Sequence, residues 1–330
     1  MQRLNGHPRE RGAVAVIAAI VLVIVMSMAA LAIDVSAMHV DRQQLQTGAD
    51  AAVLAVAQDC ARDRCSEATA TTEFLAGANI NDGNAEGTIL QIDETAGTVT
   101  VETSTIRDHY FAPVLGLEST PIAARASARW GYPTGGIAVL PLAFSWCELA
   151  EQVGVTVIRD SETDEVVGVN IPSDTPESTI YFTKASATDC TGPSNNLLPG
   201  GFGWLTPSAT SCNKTESVID GWIGSDSGNN VPSICTPEAF NKWLGQTILL
   251  PIFDEAKGTG SSGQYKVFGY AAFTLKSYYF AGQFKPLNPP CGGEERCIRG
   301  SFDRFVDLNE YFDYSPSGPR LGAAVVALTE

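Results

Sequence analysis

The longest uninterrupted hydrophobic pattern is Ala13 to Ile33, AVAVIAAIVLVIVMSMAALAI, with Ser27 as its only polar member and no charged side chain. As a helix these 21 residues reach about 31 Å at ~1.5 Å per residue. That length fits a bilayer hydrocarbon core of about 30 Å. A core helix of a globular domain would show a polar face, and none occurs around this cylinder. Ala30-Leu31-Ala32 fits the A-x-A pattern of leader cleavage. The apolar stretch is longer than the usual core of about 7–15 residues, however, and helical sequence continues past it. No cut after Ala32 is expected.

From Asp34 to Asp59 the pattern stays helical but becomes one-sided. Leu45, Ala49, Ala52, Val53 and Val56 share a face at three-to-four spacing. Gly48, Ala49, Ala51 and Ala52 are small, so a sheet or helix of the same domain, or a partner, can approach closely. The run Cys60-Ala-Arg-Asp-Arg-Cys65 interrupts the helix, and a second is expected from Ser66 to Ala78, ended by Asn79, Asn81 and Gly83. Alternating runs Thr88–Ile92 and Thr98–Thr103 predict a hairpin about Asp93–Gly97. His109–Leu117 reads as a short apolar helix and Pro121–Trp130 as a strand. Gly131-Tyr-Pro-Thr-Gly-Gly136 reads as a domain boundary.

Beyond it the pattern turns to strands. They are expected at Ile137–Phe144, Val155–Arg159, Val166–Ile171, Thr179–Thr183, Thr247–Phe253, Tyr265–Tyr279, Cys297–Leu308 and Ala323–Leu328. The stretch 193–237, rich in Gly, Ser, Asn and Pro, reads as an excursion pinned by disulfides. The expected fold class is α+β: a transmembrane helix running into an α+β unit, then a disulfide-containing β-rich domain. The segments are residues 1–12 (cytoplasmic), 13–33 (transmembrane), 34–131 (α+β) and 137–330 (β-rich).

Composition sharpens this picture. The 330 residues are 44% hydrophobic and 18% charged, enough apolar material for folded domains. With 37 acidic against 21 basic residues, the net charge of −16 argues against binding nucleic acid. Arg3, Arg9 and Arg11 precede the apolar run, opposed by Glu10, while Asp34 and Asp41 follow it. The positive-inside rule then keeps the N-terminus cytoplasmic and exports the rest. Localisation in the cell membrane, single-pass, with extracytoplasmic domains is expected, and the lipid bilayer is the first partner.

Cys60, Cys65, Cys147, Cys190, Cys212, Cys235, Cys291 and Cys297 all follow the apolar run. An even count on the oxidising side of a membrane reads as a set of disulfides. Spacing favours Cys60–Cys65 and Cys291–Cys297, with Cys212–Cys235 and Cys147–Cys190 completing the set, although connectivity is not deducible from sequence. Zinc is the weaker reading, since C-x-x-C is absent and no histidine accompanies a cysteine pair. His7 and His39 lie at or before the membrane, leaving His109 as the exported candidate general base, where a surface role is simpler.

Other motif-like spacings lack the context their chemistry needs. Gly258-Thr-Gly260-Ser-Ser-Gly263 has the G-x-G-x-x-G spacing, but strand-like sequence follows where a phosphate-binding helix is required. Asp160, Glu162 and Asp164 alternate like a calcium loop, yet Glu165 stands where Gly is needed and Ile171 where Glu is needed. Asp226–Asn230 offers oxygens in a weak calcium pattern. No catalytic residue, cofactor, metal or small-molecule ligand is expected.

Arg11-Gly12-Ala13-Val14-Ala15-Val16 opens the apolar run and Ala32-Ile33-Asp34-Val35 closes it. Asp41-Arg42-Gln43-Gln44-Leu45-Gln46-Thr47-Gly48-Ala49-Asp50-Ala51-Ala52-Val53-Leu54-Ala55 follows. Together these resemble the N-terminal region of the TadE/TadG-like proteins of Flp (Tad) pilus assembly, over about residues 11–59. The resemblance implies an inner-membrane, pilin-like helix and an exported part that works with Tad pilus and secretion components. Gly12 is followed five residues later by Ile17 where cleaved pseudopilins have Glu, so processing there is not expected. Asp34-Val-Ser36-Ala-Met38 lacks the last Ser of a D-x-S-x-S metal motif. The expected function is structural and not enzymatic. An anchored surface hydrolase using a carboxylate pair, and an adhesin using the Trp204–Trp222 region, are the alternatives.

Overall fold

The computed structural model describes residues 10–62, 64–153, 156–172, 175–182, 187–208, 210–226, 230–258, 262–304 and 311–329. One helix, α1 (Glu10–Cys60), runs unbroken for 51 residues. Its sequence carries no proline, and at ~1.5 Å per residue it extends about 77 Å. From Val14 to Ile33 every side chain is exposed except the half-buried Ala30. From Asp34 onward one face is covered. The apolar half is long and hydrophobic enough to cross a membrane.

The helix ends at Cys60, which is disulfide-bonded to Cys65. A 3-10 turn (Cys65–Glu67) then starts α2 (Ala68–Ala78), so the expected second helix begins with a tighter turn. Helix α2 runs back along α1. A Cβ on Gly48 would sit 3.3 Å from the Asn79 Cβ, which is why a small residue is needed where the two helices are closest.

Strands β1 (Glu86–Asp93), β2 (Thr98–Asp108) and β3 (Ser119–Ala138) form an antiparallel meander against α1. Along β2 the inward positions Val99, Val101, Thr103 and Thr105 alternate with less buried ones, the period-two pattern of a half-covered sheet. Between β2 and β3 the expected apolar helix is reduced to a 3-10 turn, Ala112–Leu115, closed by Gly116 in the left-handed region. Pro113 and Gly116 explain why it does not lengthen.

The segment Gly131–Gly136, expected as a domain boundary, lies inside β3. Two late strands, β11 (Thr215–Val218) and β16 (Phe312–Ser315), flank it, and β17 (Val325–Thr329) pairs with Ser127–Gly131. Pro133 is tolerated because the ladder to β16 shifts register opposite it. Ser315 approaches so closely that a Cβ on Gly131 would lie 3.2 Å from its carbonyl carbon. Glycines that look like a turn in sequence here permit close strand approach.

The expected strand Ile137–Phe144 is split. β3 ends at Ala138, Pro141 follows, and β4 (Leu142–Ser145) begins a second sheet. That sheet runs β10 (Phe202–Trp204), β4, β13 (Thr247–Lys257), β14 (Gln264–Tyr279), β15 (Cys297–Asp303), β7 (Ser178–Tyr181), with β12 (Trp222–Gly224) on β14. β13 and β14 form a long hairpin around Gly258–Gly263, of which residues 259–261 lie outside the described set. β15 stops at Asp303, and residues 305–308 of the expected strand to Leu308 are also outside it. Smaller hairpins pair β5 (Thr156–Arg159) with β6 (Val166–Asn170) and β8 (Ala187–Thr191) with β9 (Leu197–Pro199). Short helices α3 (Trp146–Val153) and α4 (Pro237–Asn241) complete the part.

The core of this second sheet is aromatic. Phe144 meets Phe273 edge-on with ring centroids 5.1 Å apart, and Trp204 meets Phe280 at 4.8 Å. The disulfides Cys147–Cys190, Cys212–Cys235 and Cys291–Cys297 pin the connections around it. The whole is an α+β fold, with the long helix on one sheet and a disulfide-bonded β-rich part beyond.

Candidate functional site: the long helix and its seat

Asp34 closes the apolar run and is buried. Its carboxylate accepts three backbone hydrogen bonds: from Tyr110 N (2.8 Å), Phe111 N (3.0 Å) and Ala112 N (2.8 Å). These are the two amides leading into the 3-10 turn and the first amide of the turn itself, none of which has a carbonyl partner within the turn. A carboxylate held by three amides is a charge-assisted cap. It fixes the β2–β3 loop against the helix where the helix leaves its apolar half. Two turns on, Asp41 pairs with Arg107 at 3.2 Å, and Arg107 also donates to the Tyr110 hydroxyl at 3.0 Å.

The remaining motif residues seat the helix on its own domain. Leu45, Ala49, Ala52, Val53 and Val56 are each at most 1% exposed. Ala49, Ala52, Val53 and Val56 join Val99, Val101, Ala126, Ala128 and Trp130 in one core, and Leu45 packs with Ile80, Ile122 and Ala124. Thr103 Oγ1 donates to the Leu45 carbonyl at 2.8 Å and Tyr132 Oη to the Ala61 carbonyl at 2.9 Å, so the buried edges are satisfied. Gln44 accepts from Asn81 N at 3.2 Å, and Gln46 donates to Asp50 (2.8 Å) and to the Arg125 carbonyl (3.1 Å).

Residues 12–59 match the model of the Flp pilus-assembly TadE/G-like family. The match begins at the start of the apolar run and stops just before Cys60, so it coincides with α1 and includes Asp34, Asp41 and the packed face. No curated protein and no solved structure matches the chain.

His109 Nε2 lies 2.8 Å from Thr120 Oγ1, at the base of the loop that Asp34 holds. Among the described residues no group of three or more His, Cys, Asp or Glu is placed to hold a metal. Asp160 accepts from Glu162 N (2.9 Å) and Thr163 N (2.8 Å), so the acidic run of the β5–β6 hairpin is a self-bonded turn. Those bonds hold its carboxyl below the usual range. Residues 227–229 of the other acidic run lie outside the described set. Trp204 is fully buried, whereas Trp222 is 37% exposed with the Lys257 ammonium 3.6 Å from its ring centre.

Two groupings had no signal in the sequence, because their members are far apart along it. Arg62, Arg64, Arg304 and Arg320 line a cleft of about 500 Å³ with Tyr132. Burial, then the nearness of Arg304 and Arg64, lowers the pKa of Arg62. Arg64 pairs with Asp59 at 2.6 Å, Arg304 donates to the Pro172 carbonyl at 3.1 Å, and Arg320 lies over the Tyr132 ring. Of these contacts the one between Arg320 and Tyr132 crosses from the β-rich part to β3, and Tyr132 in turn donates to the Ala61 carbonyl just past the end of α1.

The second grouping is Asp254, buried at 2% exposure beside a cleft of about 880 Å³, and hydrogen-bonded by Ser194 Oγ. Burial raises its pKa against the opposing pull of Ser194 and Lys266. A carboxyl raised in the folded state stabilises the fold while protonated, and that contribution is lost as pH climbs from the ordinary value of 3.8 through the folded one. Asp254→Asn is therefore expected to melt above the wild type at neutral pH, with the gap closing in acid. Melting curves across pH check this, and a gap that widens on acidification would contradict the assignment.

Proposed function

We propose that this protein is a membrane-anchored, extracytoplasmic component of Flp/Tad-type pilus assembly, structural rather than catalytic. The coincidence of the family match with the whole of α1 carries the reading. The apolar half suits an anchor. The packed half makes the helix the spine of a pilin-like unit of residues 34–131, on which the part from 137 to 330 is built. In this reading β3 runs from one unit into the other, and β17 returns to the first. The arginines before the helix and the acids after it support a cytoplasmic N-terminus with both units outside. The partners are then the lipid bilayer and pilin-like or secretion components of the Tad machinery.

Two measurements test this. Protease added to spheroplasts is expected to digest the C-terminal part, and protection until lysis would reverse the topology. Removing the protein from its host is expected to abolish Flp-type pili in electron micrographs. Pili of normal number and length would reject the assembly role.

A further inference from the structure

We propose that the loop between β2 and β3, residues 109–117, is a second membrane contact that lays Tyr110, Phe111, Val114 and Leu117 into the interfacial layer of the bilayer that α1 crosses. The inference rests on the anchoring of α1 and adds a surface that the family match at residues 12–59 does not contain.

Four observations carry it. First, the loop is apolar at its surface: Val114 is 91% exposed, Tyr110 65%, Leu117 60% and Phe111 46%. From His109 to Leu117 the sequence HYFAPVLGL has no Asp, Glu, Lys or Arg, while Asp108 and Glu118 stand at its two ends. Exposed apolar side chains gathered in one loop mark a surface that meets something other than water.

Second, the loop is fixed. Asp34 holds three of its amides, Pro113 restrains its turn, and Arg107 ties it to Asp41. A fixed loop cannot fold these side chains inward, so their exposure is built in.

Third, its height is set by the helix. Asp34 is the first charged residue after the apolar run, which places it at the edge of the hydrocarbon. The 3-10 turn packs on α1, and Ala30, one turn before Asp34, is the residue of Val14–Ile33 that loses exposure. One turn is about 5.4 Å, so the loop overlaps the last turn of the span instead of standing clear of it.

Fourth, the composition suits that depth. Tyr and Phe are favoured at the boundary between headgroups and hydrocarbon, where a ring is buried and a hydroxyl stays wet. The Tyr110 hydroxyl accepts from Arg107, on the side of the loop away from the apolar half of the helix. The contact would stop the rigid domain from rotating freely about its anchor, because a helix alone fixes depth but not the face turned to the membrane.

The test uses the full chain in liposomes made with or without brominated acyl chains, which quench indole fluorescence on contact. Tryptophan is introduced singly by Val114→Trp, by Val23→Trp in the middle of the apolar run, and by Phe74→Trp on α2. Phe74 is 71% exposed and lies on a helix that packs beside the far half of α1. The fluorescence added at position 23 should be strongly quenched, that at position 114 should fall about twofold or more, and that at position 74 should not change, as expected for depths inside, at the edge of and outside a core of about 30 Å. If position 23 is quenched and position 114 behaves like position 74, the loop does not touch lipid and the inference is wrong while the anchor stands. If position 23 is not quenched, the anchoring reading fails and takes this inference with it. A blue-shifted but unquenched indole at position 114 would mean that protein covers the loop, which also overturns the proposal.

Discussion

Asp34→Ala should free the β2–β3 loop without detaching the protein from the membrane. The substitution removes the acceptor of three amides at 2.8–3.0 Å, one of them buried and two half-buried. Leaving one buried polar group unsatisfied costs about 1–3 kcal/mol and a half-buried one less, which makes about 3 kcal/mol the value for the three together. That corresponds to roughly a hundredfold faster local opening, at ~1.4 kcal/mol per factor of ten. Hydrogen exchange of the peptide holding Tyr110, Phe111 and Ala112 should accelerate by about that factor, and trypsin should gain access at Arg107. Asp34→Asn keeps the shape but offers one acceptor oxygen and places an NH₂ against a donor, so it should fall between the two. Insertion should be unaffected, because alanine only lengthens the apolar run. Unchanged exchange in the alanine variant would show that Asp34 is not what holds the loop.

The same residue shows how far the sequence could be read. The apolar run, the small-residue face from Leu45 to Val56 and the β1–β2 hairpin follow from local periodicity, because each is decided by neighbours within a few residues. Asp34 was visible as a member of the resembling pattern, but its three partners lie 76 to 78 residues away and no spacing rule connects them. Gly131–Gly136, read as a domain boundary, shows the opposite case. Its glycines and proline have strong local turn preferences, and those were overridden by strands arriving from positions 215–218 and 312–315. The Ser194–Asp254 bond and the four-arginine cleft share the difficulty that chain separation hides proximity. Long-range pairing is thus where pattern reasoning stopped, and it is what joins the helix-bearing sheet to the β-rich part.

The disulfides should differ in weight according to the loops they close. Cys147–Cys190 spans 43 residues, Cys212–Cys235 spans 23, Cys291–Cys297 spans 6 and Cys60–Cys65 spans 5. Limiting the unfolded chain is worth about 4 kcal/mol for the longest loop, ~3.4 for the next and about 2 for the two short ones in the chain-entropy description. Against a typical domain stability of about 5–15 kcal/mol, losing the longest link is severe. Its cysteines join α3 to β8, whose neighbours are the short β9 and β10, elements with little backbone pairing of their own. The joint substitution Cys147→Ser and Cys190→Ser should therefore give the largest drop in melting temperature and expose the region to protease. Loss of Cys60–Cys65 should fray only the end of α1, since Ala61 still accepts from Tyr132 and the packed face below it is intact. Melts of the four paired variants, measured on full chains in one detergent, decide the order. Equal or greater loss for the Cys60–Cys65 pair would mean that strain or local packing, not chain restriction, sets the value of these bonds.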